Sequence, residues 1–203
     1  MSPRFIMKKI TIGLTGSLGS GKSFAAALFK KHGVNVVSAD DLAKRVLAED
    51  ADTRPELVRV LGDVCFMPNG APDTKKIAEA VFSDSEKLRK IEEMLHPRAL
   101  LLWQTQAEKF EGLSVLEIPL LFEKKLEKLF DICATVFCSG QIRLERLAQR
   151  GMSPNEIAAR DKFQMSVADK LKLADIAFFN EGSAEFLEAQ ILIFVDKLYG
   201  RRK

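Results

Sequence analysis

Apolar positions along the chain change their spacing several times, and each change marks an element. Lys8 to Thr15 (KKITIGLT) is short, β-branched and followed by a glycine cluster, which predicts a buried strand. From Lys22 to His32 the apolar residues Ala25, Leu28 and Phe29 recur at helical spacing, and Gly33 suits the position just past a helix end. Val34 to Val37 is a second short apolar run that ends at Ser38-Ala39-Asp40. Strand, helix, strand in that order is a βαβ unit and implies a parallel sheet.

The middle of the chain differs. From about Leu42 to Phe110 the pattern is helical and charged, punctuated by Pro55, Pro68-Asn69-Gly70 and Pro97. Ser83 with Glu86 makes a capping-box signature, with Leu88, Ile91 and Leu95 on one face behind it. This stretch reads as a helical lobe inserted between strands. Strand patterns return at Ser114 to Ile118 and at Ile132 to Cys138. A charged helix is expected over Gln141 to Arg150, closed by Gly151. Ser153-Pro154-Asn155-Glu156 combines an N-cap, a proline at the first helical position and a capping-box glutamate, so another helix begins there. Ile176 to Phe179 is expected as the last strand. Behind a cap at Ser183, the residues Leu187, Ile191, Phe194, Val195 and Leu198 predict the final helix.

Composition narrows the class without naming it. With 203 residues, 47% hydrophobic and 29% charged, the chain can bury the core of one α/β domain. A net charge of +3 suits an anionic small ligand and is too weak to argue for nucleic acid. Cys65, Cys133 and Cys138 form no CxxC pair and have two histidines for company, so neither a zinc site nor a disulfide framework is expected. No stretch is long enough to span a bilayer. The expectation is a cytoplasmic protein with no membrane or nucleic-acid partner, a monomer or weak homo-oligomer.

Gly16-Ser17-Leu18-Gly19-Ser20-Gly21-Lys22-Ser23 matches the phosphate-loop (P-loop) pattern GxxxxGK[ST] in full, after a predicted strand and before a predicted helix. In such a loop backbone N–H groups surround phosphates, and the helix N-terminus adds the positive end of its dipole. Lys22 would reach the β- and γ-phosphates of ATP, and the Ser23 hydroxyl would ligate Mg²⁺. NKxD and DxxG are both missing, which argues against a GTPase. A motor or helicase would need a longer chain, so a compact kinase with a lid that excludes water remains.

Two further features bear on that reading. Asp40 follows the second strand, where ligands of a parallel sheet bind, and could deprotonate an attacking hydroxyl; Asp40 or Asp41 could equally cap the next helix. Arg143, Arg146 and Arg150 share one helix face, with Leu144 and Leu147 beside them able to pack. They would neutralise γ-phosphoryl charge in a lid, or form a solvated stripe.

Together the motifs resemble the dephospho-CoA kinase family across nearly the whole chain. LTGSLGSGKS is similar to the family's LTGGIGSGKS, and Val36-Val37-Ser38-Ala39-Asp40 to its strand ending in D-A-D. Leu95-His96-Pro97 resembles its LHP, Pro119-Leu120-Leu121-Phe122-Glu123 its PLLFE, and Arg146-Leu147 with Arg150 its RLxxR. Arg160 and Gln164 fit RxxxQ, while Lys170, Ala174-Asp175 and Asn180-Glu181-Gly182 fit K…AD…NxG. Ser38 stands where the family has an aspartate, Phe24 where a threonine follows GKS, Phe179 where an aspartate precedes the asparagine, and Arg143 where glutamine is frequent.

The resemblance implies transfer of the ATP γ-phosphoryl group to the ribose 3′-hydroxyl of dephospho-CoA. It implies a P-loop kinase-like three-layer α/β/α fold with a five-stranded parallel sheet, a helical substrate-binding insertion at about 53–110 and a lid at about 141–165. Asp40 would be the base, with Lys22 and Arg146 as phosphate clamps and Ser23 as the metal ligand. Residues Gly16 to Ser23 with Phe24, Arg150 and Arg160 would hold the nucleotide. His96, Leu121, Phe122, Glu123 and Gln164 would join Asp40 around dephospho-CoA. A nucleoside or nucleotide monophosphate kinase of the same fold needs neither LHP nor PLLFE. A nucleotide-binding regulator without turnover needs no acceptor-side base.

Overall fold

Alternation of β-branched and apolar residues lets one strand serve both faces of a sheet, and β1 (Ile10–Gly16) forms where that pattern lies. In this computed structural model, which describes residues 9–82 and 84–200, the chain continues through α1 (Lys22–Lys31), β2 (Asn35–Ser38), α2 (Ala39–Glu49), α3 (Thr53–Leu61), α4 (Thr74–Phe82) and α5 (Ser85–Ala107). There follow β3 (Leu113–Glu117), β4 (Ile132–Phe137), α6 (Gly140–Gln149), α7 (Pro154–Asp161), α8 (Val167–Leu173), β5 (Ile176–Phe179) and α9 (Ala184–Leu198). The strands make one five-stranded parallel sheet in the order β2-β3-β1-β4-β5. β1 is central, flanked by β3 and β4, so the loop that leaves it opens at the switch point of the sheet.

The chain folds as two compact units, residues 1–37 with 109–203, and residues 38–108. In the first, Ile12 and Leu14 of β1 point into a core shared with Ala25 and Phe29 of α1 and Leu187 and Phe194 of α9. Phe29, Phe178 and Phe194 meet edge to face, with ring centroids 5.4 to 6.2 Å apart. Each such pair adds about 0.5–1.5 kcal/mol beyond simple burial. The other face of β1 carries Gly13, where a Cβ would overlap Leu121 and the Phe130 ring. Glycine in mid-strand therefore allows the 119–130 segment to lie directly on the sheet.

The second unit is helical, and α2, α3 and α4 all pack on α5. Trp103, at 1% exposure, is core, as are Ile91 and Leu95 of the expected apolar face. The cap of α5 is Asp84, whose side chain accepts from the Glu86 and Lys87 N–H groups; Ser83, the expected cap, lies outside the described residues. Pro97 does not break the helix, which runs 23 residues through it. Packing from three neighbours offsets the roughly 3 kcal/mol that an interior proline costs. Neither Asp40 nor Asp41 caps α2. Ser38 occupies the N-cap position with no side-chain bond, and both aspartates fall in the first turn, where negative charge suits the dipole.

Later elements follow the sequence pattern closely. α7 carries the full Ser153–Glu156 capping box and Ser183 caps α9. On α6, Leu147 is fully buried while Leu144 stays 51% exposed, so only one of the two expected packing residues packs. No helix among the described residues is long and apolar enough to cross a membrane.

Phe29→Ala removes the hub of the aromatic cluster and should lower stability by about 3–5 kcal/mol, read by denaturant unfolding. Cys133 is buried, and loss of hydration pushes its thiol up from 9.0 to about 11. The folded state thus holds the proton that the unfolded state releases. Stability relative to Cys133→Ala is fully present below about pH 9 and should be lost as pH rises toward about 11. Unfolding curves of the two proteins across that range check this.

Candidate active site

The loop after β1 leads straight into α1, whose N-cap Gly21 has φ 92° and ψ 23°. No side chain caps this end of α1 and no acid stands in its first turn. The first N–H groups of the helix are left for an anionic ligand, in the field of the dipole. Gly21 is required twice over: its φ is left-handed, and a Cβ there would overlap the Asn180 amide.

Carbonyl oxygens of the same loop find donors on neighbouring elements. Arg143 Nε donates to Leu18 O at 3.0 Å. Asn180 Nδ2 donates to Ser20 O at 2.8 Å, and Arg146 Nη1 reaches the same oxygen at 3.4 Å. Arg146 Nη2 also donates to Asn180 O at 3.0 Å. Arg143 forms a further ion pair with Asp161 at the end of α7. The arginine stripe thus divides: Arg143 ties the loop to α7, Arg146 ties it to Asn180, and Arg150 is exposed.

Glu117, the last residue of β3, completes the loop's chemistry, although no motif in the sequence marks it. Its Oε1 accepts from Lys22 Nζ at 2.5 Å and from Ser23 Oγ at 2.6 Å. The available signal was an apolar strand, LSVLE, closing on a carboxylate at the sheet's carboxyl edge. Ser23 and Glu117 make an all-oxygen donor pair, which suits a hard cation such as Mg²⁺. Among the described residues no group of three or more His, Cys, Asp or Glu could hold a metal ion. Such a pair fits Mg²⁺, which commonly takes one or two protein oxygens and fills the rest with phosphate and water.

The PLLFE segment turns inward. Leu121 is fully buried and Phe122 is 4% exposed, so both side chains pack into the protein. Glu123 Oε1 pairs with Lys170 Nζ at 2.9 Å and accepts the Met165 N–H at 2.7 Å. Gln164, one residue earlier, accepts the Leu18 N–H of the loop at 3.0 Å. Gln164 and Glu123 therefore appear as supports of the loop and of the α7–α8 junction.

Gly21, Phe24, Arg146, Arg150, Asn180 and Gly182 line an open cleft of about 380 Å³ beside the loop. The structure brings Phe24 and two of the arginines to one wall, and leaves Arg160 apart from it, its guanidinium 4.0 Å from Met152 Sδ. In the helical unit, Asp40 and His96 are both exposed, on α2 and α5 respectively. Among the described residues no hydrogen bond or ion pair engages the Asp40 carboxylate.

Gly21→Ala forces a strained backbone and displaces Asn180. With strain of about 1–3 kcal/mol, affinity for an ATP analogue should fall by about tenfold or more, measured by calorimetric titration. Circular dichroism should show the fold intact.

Comparison with known proteins points to one family. The sequence profile of the dephospho-CoA kinase family matches residues 10–185. A dephospho-CoA kinase of Listeria innocua serovar 6a is 34% identical over 197 residues, covering 95% of this chain and 98% of the relative. A solved Thermus thermophilus structure superposes with a TM-score of 0.77 at 36% identity, over 93% of this chain and 97% of the other. The dephospho-CoA kinase of Campylobacter jejuni, at 24% identity and a TM-score of 0.67, shares the fold over 96% of this chain and 99% of its own. The match of profile and relatives over nearly the whole length places the chain in the dephospho-CoA kinase family.

Proposed function

We propose that the protein transfers the γ-phosphoryl group of ATP to the ribose 3′-hydroxyl of dephospho-CoA, giving CoA and ADP, the last step of coenzyme A synthesis. The observation that carries this reading is the convergence of Lys22, Ser23 and Glu117 at an uncapped helix N-terminus, in a chain of this family.

The phosphates would lie against the N–H groups at the start of α1. Lys22, held by Glu117 in the free protein, would exchange that carboxylate for the β- and γ-phosphates. Ser23 and Glu117 would hold Mg²⁺, which supplies positive charge against the phosphate oxygens when bound. Arg146 and Arg150 stand on the wall of the cleft beside the loop, where guanidinium groups stabilise charge that develops during transfer. Phe24 offers that cleft a half-exposed ring for the nucleoside.

Asp40 is the second residue of α2, which leaves the sheet directly after β2. An exposed carboxylate with no partner among the described residues would take the proton of the 3′-hydroxyl as its oxygen attacks the γ-phosphorus and ADP departs. The helical unit, with His96 on α5, would bind the rest of dephospho-CoA, and the segment at about 141–165 would act as the lid. Glu123 and Gln164 would serve the acceptor indirectly, by fixing the loop and the α7–α8 junction.

Mg²⁺-dependent ADP release is the test, with dephospho-CoA set beside AMP, CMP, uridine and adenosine. Turnover is expected with dephospho-CoA alone; activity confined to a nucleoside or nucleotide would refute the assignment. Asp40→Asn should lower kcat by about 10²-fold or more while ATP binding persists. Near-normal turnover in that variant would remove Asp40 from the mechanism.

A further inference from the structure

Two buried polar groups next to the phosphate loop have no part in the chemistry above. The Ser20 hydroxyl belongs to a residue only 2% exposed, and it has no hydrogen-bond partner among the described residues. Leaving a buried hydroxyl unpaired is costly, so such a group points to an occupant. Lys170, on α8, is 1% exposed. Its ammonium has three hydrogens to donate and, among the described residues, two acceptors, Glu123 Oε1 at 2.9 Å and Pro119 O at 3.2 Å.

Ser20 and Lys170 line the same small cavity of about 10 Å³, together with Ser17 and Thr135. That volume is close to the least that admits one water, and it admits nothing larger. Apolar cavities of this kind stay dry, but this one offers the two to four polar partners that a buried water needs. We propose that Lys170 is a positioning residue of the phosphate loop, acting through one buried water that it shares with Ser20 Oγ.

The surrounding bonds show what this bridge would coordinate. Pro119 O, which accepts from Lys170, also accepts from Thr15 Oγ1 at 3.1 Å, and Thr15 immediately precedes the loop. Glu123, which pairs with Lys170, holds the Met165 N–H, and the adjacent Gln164 holds the Leu18 N–H in mid-loop. Entry and middle of the loop thus already refer to one ammonium group. A water from Lys170 to Ser20 brings in the end of the loop, one residue before the Gly21 N-cap of α1.

This inference rests on the loop holding the ATP phosphates, and wild-type turnover of dephospho-CoA tests that reading separately. A high-resolution crystal structure of the wild-type protein should show a water within hydrogen-bond reach of both Ser20 Oγ and Lys170 Nζ. Lys170→Met alone strands the buried Glu123 carboxylate and can prevent folding, so the ammonium is removed in the pair Lys170→Met with Glu123→Gln. Ser20→Ala and that pair should each weaken binding of an ATP analogue by about tenfold. Combined, they should weaken it no more than the stronger of the two, because both break the same bridge. A residue that merely supports the fold would lower the melting temperature without this non-additivity in affinity. A dry cavity, or losses that multiply on combination, overturns the proposal, and the crystal structure decides even where the paired change does not fold.

Discussion

A loop that offers its N–H groups to a phosphate must still satisfy its own carbonyl oxygens, and this requirement organises much of the first unit. Leu18 O and Ser20 O are bonded by Arg143, Asn180 and Arg146, which arrive from α6 and from the end of β5. The Leu18 N–H is taken by Gln164 from the α7–α8 junction. Four side chains distant in sequence are thereby committed to one eight-residue turn. Charged donors suit this task, since hydrogen bonds with an ionised partner are roughly twice as strong as neutral ones.

The same commitment ties α6 and α7 to the loop. Arg143 joins the loop to Asp161, so α6, the loop and α7 share one charged node. Arg146 is bound to two carbonyl oxygens and also borders the open cleft beside the loop. Arg150 is exposed at the rim of that cleft and has no such tether among the described residues. Beneath them, the fully buried Lys170 with Glu123 and Pro119 O keeps the segment after β3 seated on the sheet. A buried ion pair gives little net stability against a well-packed apolar pair, but removing one partner is severe. Its use here is to hold a geometry.

The helical unit shows a different division of labour. Its core is ordinary, with three helices on α5 and Trp103 at the centre, and packing carries α5 straight through Pro97. The residues on it that the sequence marks as site candidates, Asp40 and His96, are exposed. Asp40 in particular sits in the first turn of α2 without being spent on a cap, which leaves its carboxylate available.

The strands, most helix starts, the phosphate loop and the family were all legible in the sequence, because each depends on residues close together in the chain. Strand and helix periodicities are local, a capping box spans four residues, and GxxxxGK[ST] is one turn whose backbone form is dictated by its glycines. Glu117 belongs to no motif, because an apolar strand closing on a carboxylate is only a weak local signal, and it becomes a partner of Lys22 and Ser23 only when β3 pairs beside β1. Leu121 and Phe122 read as substrate contacts but are both buried, Leu121 against the sheet where Gly13, more than a hundred residues earlier, leaves room for it. Which partner a polar side chain meets is likewise non-local: Gln164, Arg143 and Glu123 look like site residues in the sequence, and in the fold Gln164 accepts the Leu18 N–H, Arg143 donates to Leu18 O and Glu123 pairs with Lys170. The sequence by itself determined which elements form and what chemistry the first loop can perform. Only the tertiary structure decided which side chains are left free to perform it, since burial demands that polar groups be paired before any can be offered to a ligand.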